Sequence, residues 1–376
     1  IFCSRTGEAE DGVREARGRY RINVATDSAV EIHEVEGLEL FNPAGRQDRH
    51  ALVDAVSRAD EIATALPSVE FYGSGEPGSV TDILAEGFKL RIGRDDTRRS
   101  IVYTAENNNR AAEILEEKVA GCLGDLAPRA RDRVQYLDTV IGKMSGIVTD
   151  EAQIKEQCLA RMTGNKGRCF LVEVFNRILI SRVRWPDFPR GITVFEEKDD
   201  LLPFEEAKLY GHNAVHALAG YLARKKGYSV MADVRKDASL FALARDAFIE
   251  ESGRALCRRH HDVDPLFTEH GYLAYADDLL QRMTNPYLRD TVERVVRDPR
   301  RKLGWDDRLV GTMCVALSEG IIPRRFALGA GAALGLLADL EGGDEKSILD
   351  QIWSDSSAPE QEKQKIKRLI FQSEKG

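Results

Sequence analysis

The feature that most constrains the fold is a change in hydrophobic periodicity partway along the chain. In roughly the first 150 residues, short strand-like runs such as Ser100–Thr104 alternate with helix-like stretches, as in a parallel sheet with crossover helices. From about residue 195, apolar residues recur almost only at helical spacing. The sequence therefore predicts an α/β domain over residues 1–170 and a mostly α-helical domain over residues 171–376. Within the first domain, Tyr20–Val24 and Ile32–Leu38 are predicted to form a hairpin insertion.

Composition argues against nucleic-acid and membrane partners. The net charge is −8, which gives no electrostatic reason to expect nucleic acid. No run approaches the roughly 18 consecutive apolar residues of a membrane span, and Phe326–Leu340 is predicted to be a buried core helix. The six cysteines are scattered without a CxxC pair, which favours reduced thiols in a cytoplasmic protein over a disulfide framework.

The most informative segment is Lys208-Leu-Tyr-Gly-His-Asn-Ala-Val-His216. Asn213 and His216 are three residues apart and share one face of a helix. An α-helix, at about 100° per residue, displaces Lys208 from Asn213 by about 140° and from His216 by about 80°. Asn213 and Lys208 can therefore converge only if the helix bends or the lysine side chain reaches far. The alternative interpretation is an amphipathic helix with a solvated lysine and no site. His212 and His216 have the spacing of a zinc-binding pair, but Asn213 replaces the Glu of the zinc-protease motif.

This segment resembles the Lys-x4-Asn-x2-His signature of the polyol-specific long-chain dehydrogenases, the mannitol dehydrogenase family. Four further segments are similar to the same family in order and spacing, and the last three are most similar to mannitol-1-phosphate 5-dehydrogenases. They are Tyr103-Thr-Ala-Glu106-Asn107, Glu250-Glu-Ser-Gly253, Asn285-Pro-Tyr-Leu-Arg-Asp290 and Glu293-Arg-Val-Val-Arg297-Asp-Pro-Arg-Arg-Lys302-Leu303. The resemblance as a whole runs from Ile1 to about Leu340.

The resemblance implies a Rossmann-like first domain, a helical catalytic domain and metal-independent hydride transfer between NAD(P) and a polyol or polyol phosphate. Lys208 is then the general base, with its pKa lowered by burial or by a neighbouring positive charge. Asn213 and Asn107 would donate amide N–H groups to the reacting oxygen, and His216 would hydrogen-bond a neighbouring hydroxyl.

A dense basic run follows at Arg297, Arg300, Arg301 and Lys302. One interpretation is a solvated turn after a helix. The other is contact with substrate hydroxyls or a substrate phosphate, for which arginine offers paired hydrogen bonds. Arg297 and Lys302 are the candidates for substrate binding.

The resemblance places the cofactor's phosphate loop ahead of Ile1 and makes the first residues the end of a second strand. An acidic residue normally holds the adenosine ribose there, whereas Ser4 and Arg5 suit a 2′-phosphate, which favours NADP over NAD. An ordinary polar strand end is the alternative. The next buried strand, Glu61–Leu66, is expected to end near the pyrophosphate or ribose. The candidate cofactor-binding residues are Ser4, Arg5, Thr6, Thr64, Ala65, Leu66 and Glu106.

Two further patterns bear on this interpretation. Gly73-Ser-Gly75-Glu-Pro-Gly78 matches GxGxxG, but it lies well inside the domain and is better explained by loop glycines before a helix. Where the family has Asp-Arg-Ile-x-Pro, this chain has Gly142-Lys143-Met144-Ser-Gly146, so the acidic group near the substrate is missing.

The leading expectation is therefore a cytoplasmic, monomeric or dimeric enzyme that interconverts a sugar alcohol, or its phosphate, with the corresponding sugar. Mannitol 1-phosphate and fructose 6-phosphate are the best single pair. The alternatives are a hexuronate reductase of the fructuronate or tagaturonate type and a non-catalytic sugar-phosphate-binding relative. The missing acid favours the non-catalytic alternative, whereas the retained Lys208, Asn213 and His216 argue against it.

Overall fold

The computed structural model describes residues 2–3, 12–73, 78–164, 167–174 and 177–373. The chain forms two compact units, Ile1–Leu202 and Pro203–Gly376. The division thus lies later than the one predicted after residue 170.

Strands are confined to the first unit in the described part of the chain, where they form three sheets with the orders β1-β4, β3-β2-β9-β8 and β11-β10-β7-β6-β5. The strands are β1 (Phe2–Cys3), β2 (Tyr20–Ala25), β3 (Val30–Val35), β4 (Leu40–Phe41), β5 (Glu61–Thr64), β6 (Ser100–Thr104), β7 (Val134–Ile141), β8 (Ser145–Val148), β9 (Cys169–Glu173), β10 (Ile178–Ser181) and β11 (Phe195–Lys198).

The pairing of β10 and β11 explains the later division. β10 pairs antiparallel with β7, and β11 pairs parallel with β10. Both strands therefore extend a sheet of the first unit, although they follow the predicted end of the first domain. Nothing in the local sequence of β10 indicated that its partner is β7, which lies much earlier in the chain.

The five-stranded sheet has apolar side chains on both faces. β5, β6 and β7 run parallel, and every residue of β6 is buried. Val102 packs with side chains of the helices Arg46–Arg58, Val80–Gly93 and Ala111–Leu123. Ile101 and Tyr103 instead pack with Trp185, Phe188 and Phe195 from the segment that leads into β11. Parallel strands that are buried on both faces of a sheet are typical of α/β proteins, so the predicted fold class is confirmed.

The predicted hairpin is confirmed with shifted bounds. β2 and β3 pair antiparallel, with Tyr20 opposite Val35 and Ala25 opposite Val30. β2 also pairs parallel with β9, so the hairpin belongs to a separate four-stranded sheet. Further helices of the first unit are Val69–Gly73 and Gly124–Leu126 (both 3₁₀), Ala127–Arg131 and Glu151–Glu156.

The second unit is mostly helical, as predicted, and two of its helical segments are π-helices. It begins within the helix Leu202–Glu206. The remaining helices are Ala207–Asn213 (π), Ala214–Lys225, Ala232–Lys236, Ala238–Asp246, Ala247–Gly253 (π), Arg254–Arg259, Pro265–Phe267 (3₁₀), Glu269–Met283, Val292–Val296, Pro299–Lys302, Val310–Ser318, Arg324–Glu341, Glu345–Ile352 and Glu360–Ser373.

The apolar run near the C-terminus forms the core helix that the sequence predicted. Arg324–Glu341 buries Phe326, Leu334 and Leu337 among other residues. Taken singly, none of the helices in the described ranges has the length and apolar character that crossing a bilayer requires. Arg324–Glu341 meets those criteria only together with Glu345–Ile352, from which a bend of 100° separates it.

Candidate functional site

The segment that carries Lys208 is a π-helix. The helix Leu202–Glu206 continues into the π-helix Ala207–Asn213 and then into the α-helix Ala214–Lys225. A π-helix hydrogen-bonds residue i to residue i+5, so it is wider than an α-helix. Lys208 and Asn213 are five residues apart and therefore lie nearer to a common face than in a regular α-helix. This local widening of the helix takes the place of the bend that the sequence analysis required.

A hydroxyl group from another helix satisfies a carbonyl of the π-helix. Tyr210 O accepts a hydrogen bond from Ser252 Oγ at 2.8 Å. Ser252 belongs to the second π-helix, Ala247–Gly253. Thr312 Oγ1, on the helix Val310–Ser318, lies 3.2 Å from the same carbonyl oxygen but donates its single proton to Arg308 O at 2.6 Å. Because a carbonyl without a donor is costly, the Ser252 hydroxyl stabilises the irregular backbone.

Two glycines allow the π-helices to approach one tyrosine. A Cβ on Gly211 would lie 2.6 Å from Tyr272 Oη, and a Cβ on Gly253 would lie 2.7 Å from Tyr272 Cδ1. Tyr272 is buried and packs edge-on against Phe248, with ring centroids 5.7 Å apart. Any larger side chain at either glycine would displace the tyrosine that separates the two π-helices.

Four of the predicted site residues line one cavity of about 440 Å³ in the helical unit. They are Asn213, His216, Arg297 and Lys302. Lys208 is half-buried, five residues before Asn213, and is not part of the cavity lining. The other lining residues are Ala217, Arg294, Val295, Asp298, Arg301 and Arg308.

The cavity carries an excess of positive charge, part of which is paired. Arg301 Nε donates to Asp298 Oδ2 at 2.7 Å, and Arg308 Nε donates to Asp307 Oδ1 at 2.9 Å. Within the described residues, the side chains of Arg297 and Lys302 have neither an ion pair nor a hydrogen bond. These two unpaired cations are the ones that the sequence singled out for substrate binding.

Arg308, which the sequence analysis missed, acts on both lysines of the region. Burial, together with the nearby Arg308 and Arg301, lowers the pKa of Lys302 to about 8. Burial also lowers the pKa of Lys208; Arg308 adds to this effect, while Glu205 opposes it. A positive neighbour destabilises the ammonium form. Arg308 lies far along the chain from Lys208, so no spacing rule could have identified it.

His216 faces a buried carboxylate that the sequence had placed only within a family motif. His216 Nε2 and Asp290 Oδ2 are 3.0 Å apart. Their geometry is not that of a hydrogen bond, and neither atom has another partner in the described part of the chain. Burial opposes ionisation of Asp290, but His216 and Arg294 outweigh it and lower its pKa to about 2.

His212 and His216, which have the spacing of a zinc-binding pair, have different neighbours in the structure. Their ring centroids are 6.4 Å apart, and His216 is directed at Asp290. Burial, with His216 and Arg282 nearby, lowers the pKa of His212 well below its usual value, so its ring is neutral. Among the described residues, no group of three or more His, Cys, Asp or Glu side chains could hold a metal ion.

The candidate cofactor-binding residues that the structure describes lie in the first unit. Thr64 ends β5, beside Thr104 at the end of the parallel strand β6. Glu106 is buried and accepts hydrogen bonds from Thr64 Oγ1 at 2.9 Å, Leu66 N at 2.8 Å and Tyr72 Oη at 2.5 Å. Glu106 thus fixes the end of β5 through three internal bonds, and Ala65 beside it is exposed.

Three candidate positions and most of the glycine motif are not described. Ser4, Arg5 and Thr6 lie outside the described residues, as do residues 74–77. Gly73 ends a 3₁₀ turn, and Gly78 has a φ of +82°. Asn107 is exposed directly after Glu106, and its proposed contact with the reacting oxygen stays a prediction.

An acidic residue lies beside the segment where the family's Asp is missing. The Met144 N–H donates to Glu173 Oε1 at 2.5 Å, and the Glu173 N–H donates to Met144 O at 3.1 Å. Glu173 is 2% exposed. The turn that contains Gly142 is therefore tied to a buried carboxylate from β9, which sequence spacing did not reveal because β9 follows much later.

Comparison with known proteins agrees with this architecture. Residues 200–375 match the family model of the mannitol dehydrogenase C-terminal domain. D-Sorbitol dehydrogenase in its substrate-free form has a TM-score of 0.76 at 13% identity, over 98% of this chain and 83% of that one. A Pseudomonas fluorescens mannitol 2-dehydrogenase, in complex with NAD and D-mannitol, has a TM-score of 0.62 at 16% identity, over 89% and 72%.

At these identities the two structures establish the fold alone, whereas the family model identifies the second unit. The second unit therefore matches the C-terminal domain of the mannitol dehydrogenase family, in agreement with the resemblance predicted from the sequence. The greater likeness to mannitol-1-phosphate 5-dehydrogenases stays a prediction.

The three bonds to Glu106 predict that Glu106→Gln destabilises the first unit. Burial and Glu106 raise the pKa of Tyr72, so the phenol stays protonated and donates to the carboxylate. The NH2 group of a glutamine would stand where one carboxylate oxygen now accepts a hydrogen bond, so two donors would face each other. Losing one such buried bond costs about 1–3 kcal/mol. Urea unfolding should show this loss. Glu113→Gln, at an exposed carboxylate paired with Arg110, is the control and should change the free energy little. Equal stability of the two variants would contradict the assigned role.

Proposed function

We propose that this chain is a nicotinamide-dependent polyol dehydrogenase whose substrate carries a negative charge, with a polyol phosphate as the best candidate. The proposal rests on one observation. A single cavity combines Asn213 and His216 with the unpaired cations Arg297 and Lys302, next to the π-helix that carries Lys208. The match of the second unit to the mannitol dehydrogenase C-terminal domain supports the reaction class.

The side chains present suit the two transfers that alcohol oxidation requires. When bound, a nicotinamide ring supplies the acceptor for the hydride that leaves the carbon. The hydroxyl proton goes to the amine of Lys208, whose lowered pKa makes the neutral form accessible. The amide of Asn213 donates a hydrogen bond to the oxygen as it becomes a carbonyl. His216 hydrogen-bonds a neighbouring hydroxyl and orients the substrate.

The first unit offers features that suit a dinucleotide. In α/β sheets, ligands bind outside the carboxyl ends of the strands, and here the ends of β5 and β6 lie side by side, followed by the exposed Ala65 and Asn107. The structurally similar mannitol 2-dehydrogenase was crystallised with NAD, which supports a nicotinamide cofactor. A preference for NADP rests on the residue types of Ser4 and Arg5 alone.

The charge of the cavity supports an anionic substrate. A neutral polyol would leave Arg297 and Lys302 without an ion pair, although Lys302 is only 5% exposed. A buried cation is stabilised by an opposite charge, which a substrate phosphate would supply. The carboxylate of a hexuronate would supply one too, so a hexuronate reductase is the second candidate.

Lys208→Met should abolish turnover without preventing folding or cofactor binding. Loss of a general base lowers kcat by about 10²–10⁴-fold. Thermal shifts with NADH and NADPH should be the same for the variant and the wild type, because the side chain acts on the alcohol proton. Lys225→Met, at an exposed lysine that ends the same helix, is the control and should retain the wild-type rate. An active Lys208→Met enzyme would remove the proposed base.

A substrate panel tests the anionic group. Mannitol, mannitol 1-phosphate and a hexuronate should be compared by kcat/KM with either cofactor, and the phosphate ester is expected to be preferred. Arg297→Met should lower kcat/KM for the preferred anion by about 30-fold or more, the effect of truncating a close charge pair, and should hardly affect mannitol. The control is Arg300→Met, because Arg300 donates to Glu341 at 3.0 Å and does not line the cavity. Preference for mannitol in the wild type would contradict the anionic substrate, and turnover of none of the compounds would favour a non-catalytic role.

Arg308→Gln should move the pH dependence of alcohol oxidation to higher pH. Arg308 lowers the pKa of Lys208, so its removal raises that pKa, and the neutral amine then forms only at higher pH. The rising limb of kcat, measured at saturating substrate, should shift in the alkaline direction. Arg300→Gln should leave the limb in place. A shift toward acid, or none, would mean that Arg308 does not tune the base.

A further inference from the structure

A buried carboxylate lies behind the cavity without contributing to its lining. Asp290 has a side chain that is only 6% exposed, and its Oδ2 lies 3.0 Å from His216 Nε2. The histidine itself lines the cavity and is 16% exposed. Of its two ring nitrogens, Nε2 is buried against Asp290, which leaves Nδ1 as the nitrogen available to a ligand.

Two backbone hydrogen bonds hold the backbone around Asp290. Met231 N donates to Asp290 O at 2.8 Å, and Val292 N donates to Ser229 O at 3.0 Å. Together they form the isolated antiparallel bridge between Val230 and Thr291. These two bonds fix the segment before the helix Val292–Val296. The carboxylate is therefore presented from a rigid backbone.

The two oxygens of Asp290 have different environments. Oδ1 accepts a hydrogen bond from Arg294 Nε at 2.6 Å. Oδ2 has no donor within the described residues, although it is buried and close to His216 Nε2. Hydrogen bonds of this kind are often poorly aligned without substrate and tighten when it binds.

An ionised carboxylate selects the form of the imidazole beside it. With the pKa of Asp290 near 2, both oxygens are acceptors at neutral pH. The neutral imidazole is then stabilised with its proton on Nε2, so that Nε2 donates to Asp290 and Nδ1 keeps a lone pair. The opposite tautomer would set two lone pairs against each other in a buried place.

We propose that Asp290 is a positioning residue that holds His216 as the Nε2–H tautomer, so that Nδ1 accepts a hydrogen bond from a substrate hydroxyl. The hydrogen bond from a substrate hydroxyl to His216 rests on the proposed dehydrogenase function, whereas the tautomer of His216 does not. Asp290 itself touches no substrate. Its effect passes entirely through the ring of His216.

The tautomer can be measured on the unaltered protein. The full chain, labelled with ¹⁵N-histidine, gives long-range ¹H–¹⁵N correlations that distinguish protonated from unprotonated ring nitrogens. The chain has seven histidines, and the signal lost in His216→Gln identifies the relevant one. At neutral to mildly alkaline pH we expect a protonated Nε2 and a bare Nδ1. A proton on Nδ1, alone or with one on Nε2, would overturn the proposal.

Asp290→Asn tests the cause of that tautomer. The amide can donate to Nε2 and should transfer the ring proton to Nδ1. Asp277→Asn, which removes a carboxylate paired with Arg245 in the same unit, should leave the His216 signals unchanged. If the asparagine variant folds and its His216 keeps the wild-type tautomer, Asp290 does not select it. If that variant does not fold, the spectrum of the wild type still decides the proposal.

A double-mutant cycle connects the tautomer to turnover. Loss of a residue that orients a ligand-contacting histidine costs about 10–100-fold, so Asp290→Asn should lower kcat/KM by that factor. In a His216→Gln background the same substitution should have no further effect, because its route to the substrate is gone. Additive losses would overturn the positioning role. If the wild type turns over no substrate, the proposed function fails while the NMR result still decides the tautomer.

Discussion

The hydrogen bond that Ser252 donates to the carbonyl of Tyr210 is the interaction on which the geometry of the helical unit's site depends. A regular α-helix would place Lys208 and Asn213 on different faces. Here the backbone adopts i+5 bonding at Ala207–Asn213, and Ser252 Oγ donates to Tyr210 O at 2.8 Å. Because this donor comes from another helix, the conformation of the segment that carries lysine and asparagine is a property of the packed unit and not of the segment alone.

The charges around the cavity form a second constraint, because they change the pKa of the lysine that the π-helix carries. Arg308 and burial together hold down the pKa of two lysines, and Arg301 adds to the effect on Lys302. Burial of a cation without an ionic partner costs free energy. Proteins commonly retain such a cation where it binds a ligand or takes part in a reaction. The carboxylate of Asp290 pairs with Arg294 and lies next to His216, so within the described ranges it leaves Arg297 and Lys302 without an ion pair.

Much of the fold could be predicted, since it follows from local patterns. The buried run Ser100–Thr104 and the helical spacing after residue 195 gave the correct order of an α/β unit and a helical unit. The compact units divide after residue 202, later than the predicted division after residue 170, because β11 pairs with β10 and β10 pairs with β7. Pairing partners leave no mark in local periodicity. Glu106 was predicted near a cofactor, and the structure adds that both of its oxygens accept bonds within the protein.

The sequence by itself determined the succession of secondary structures, the family of the helical unit and which residue types are available for chemistry, because all three depend on residue identity and spacing along the chain. Only the tertiary structure decided that the segment from Lys208 to Asn213 is a π-helix, that Arg297 and Lys302 lack ion pairs in the described part of the chain, and that Arg308 and Asp290 belong to the same region. Hydrogen-bond donors, burial and charge neighbours come from residues far apart in the chain, and only folding brings them together.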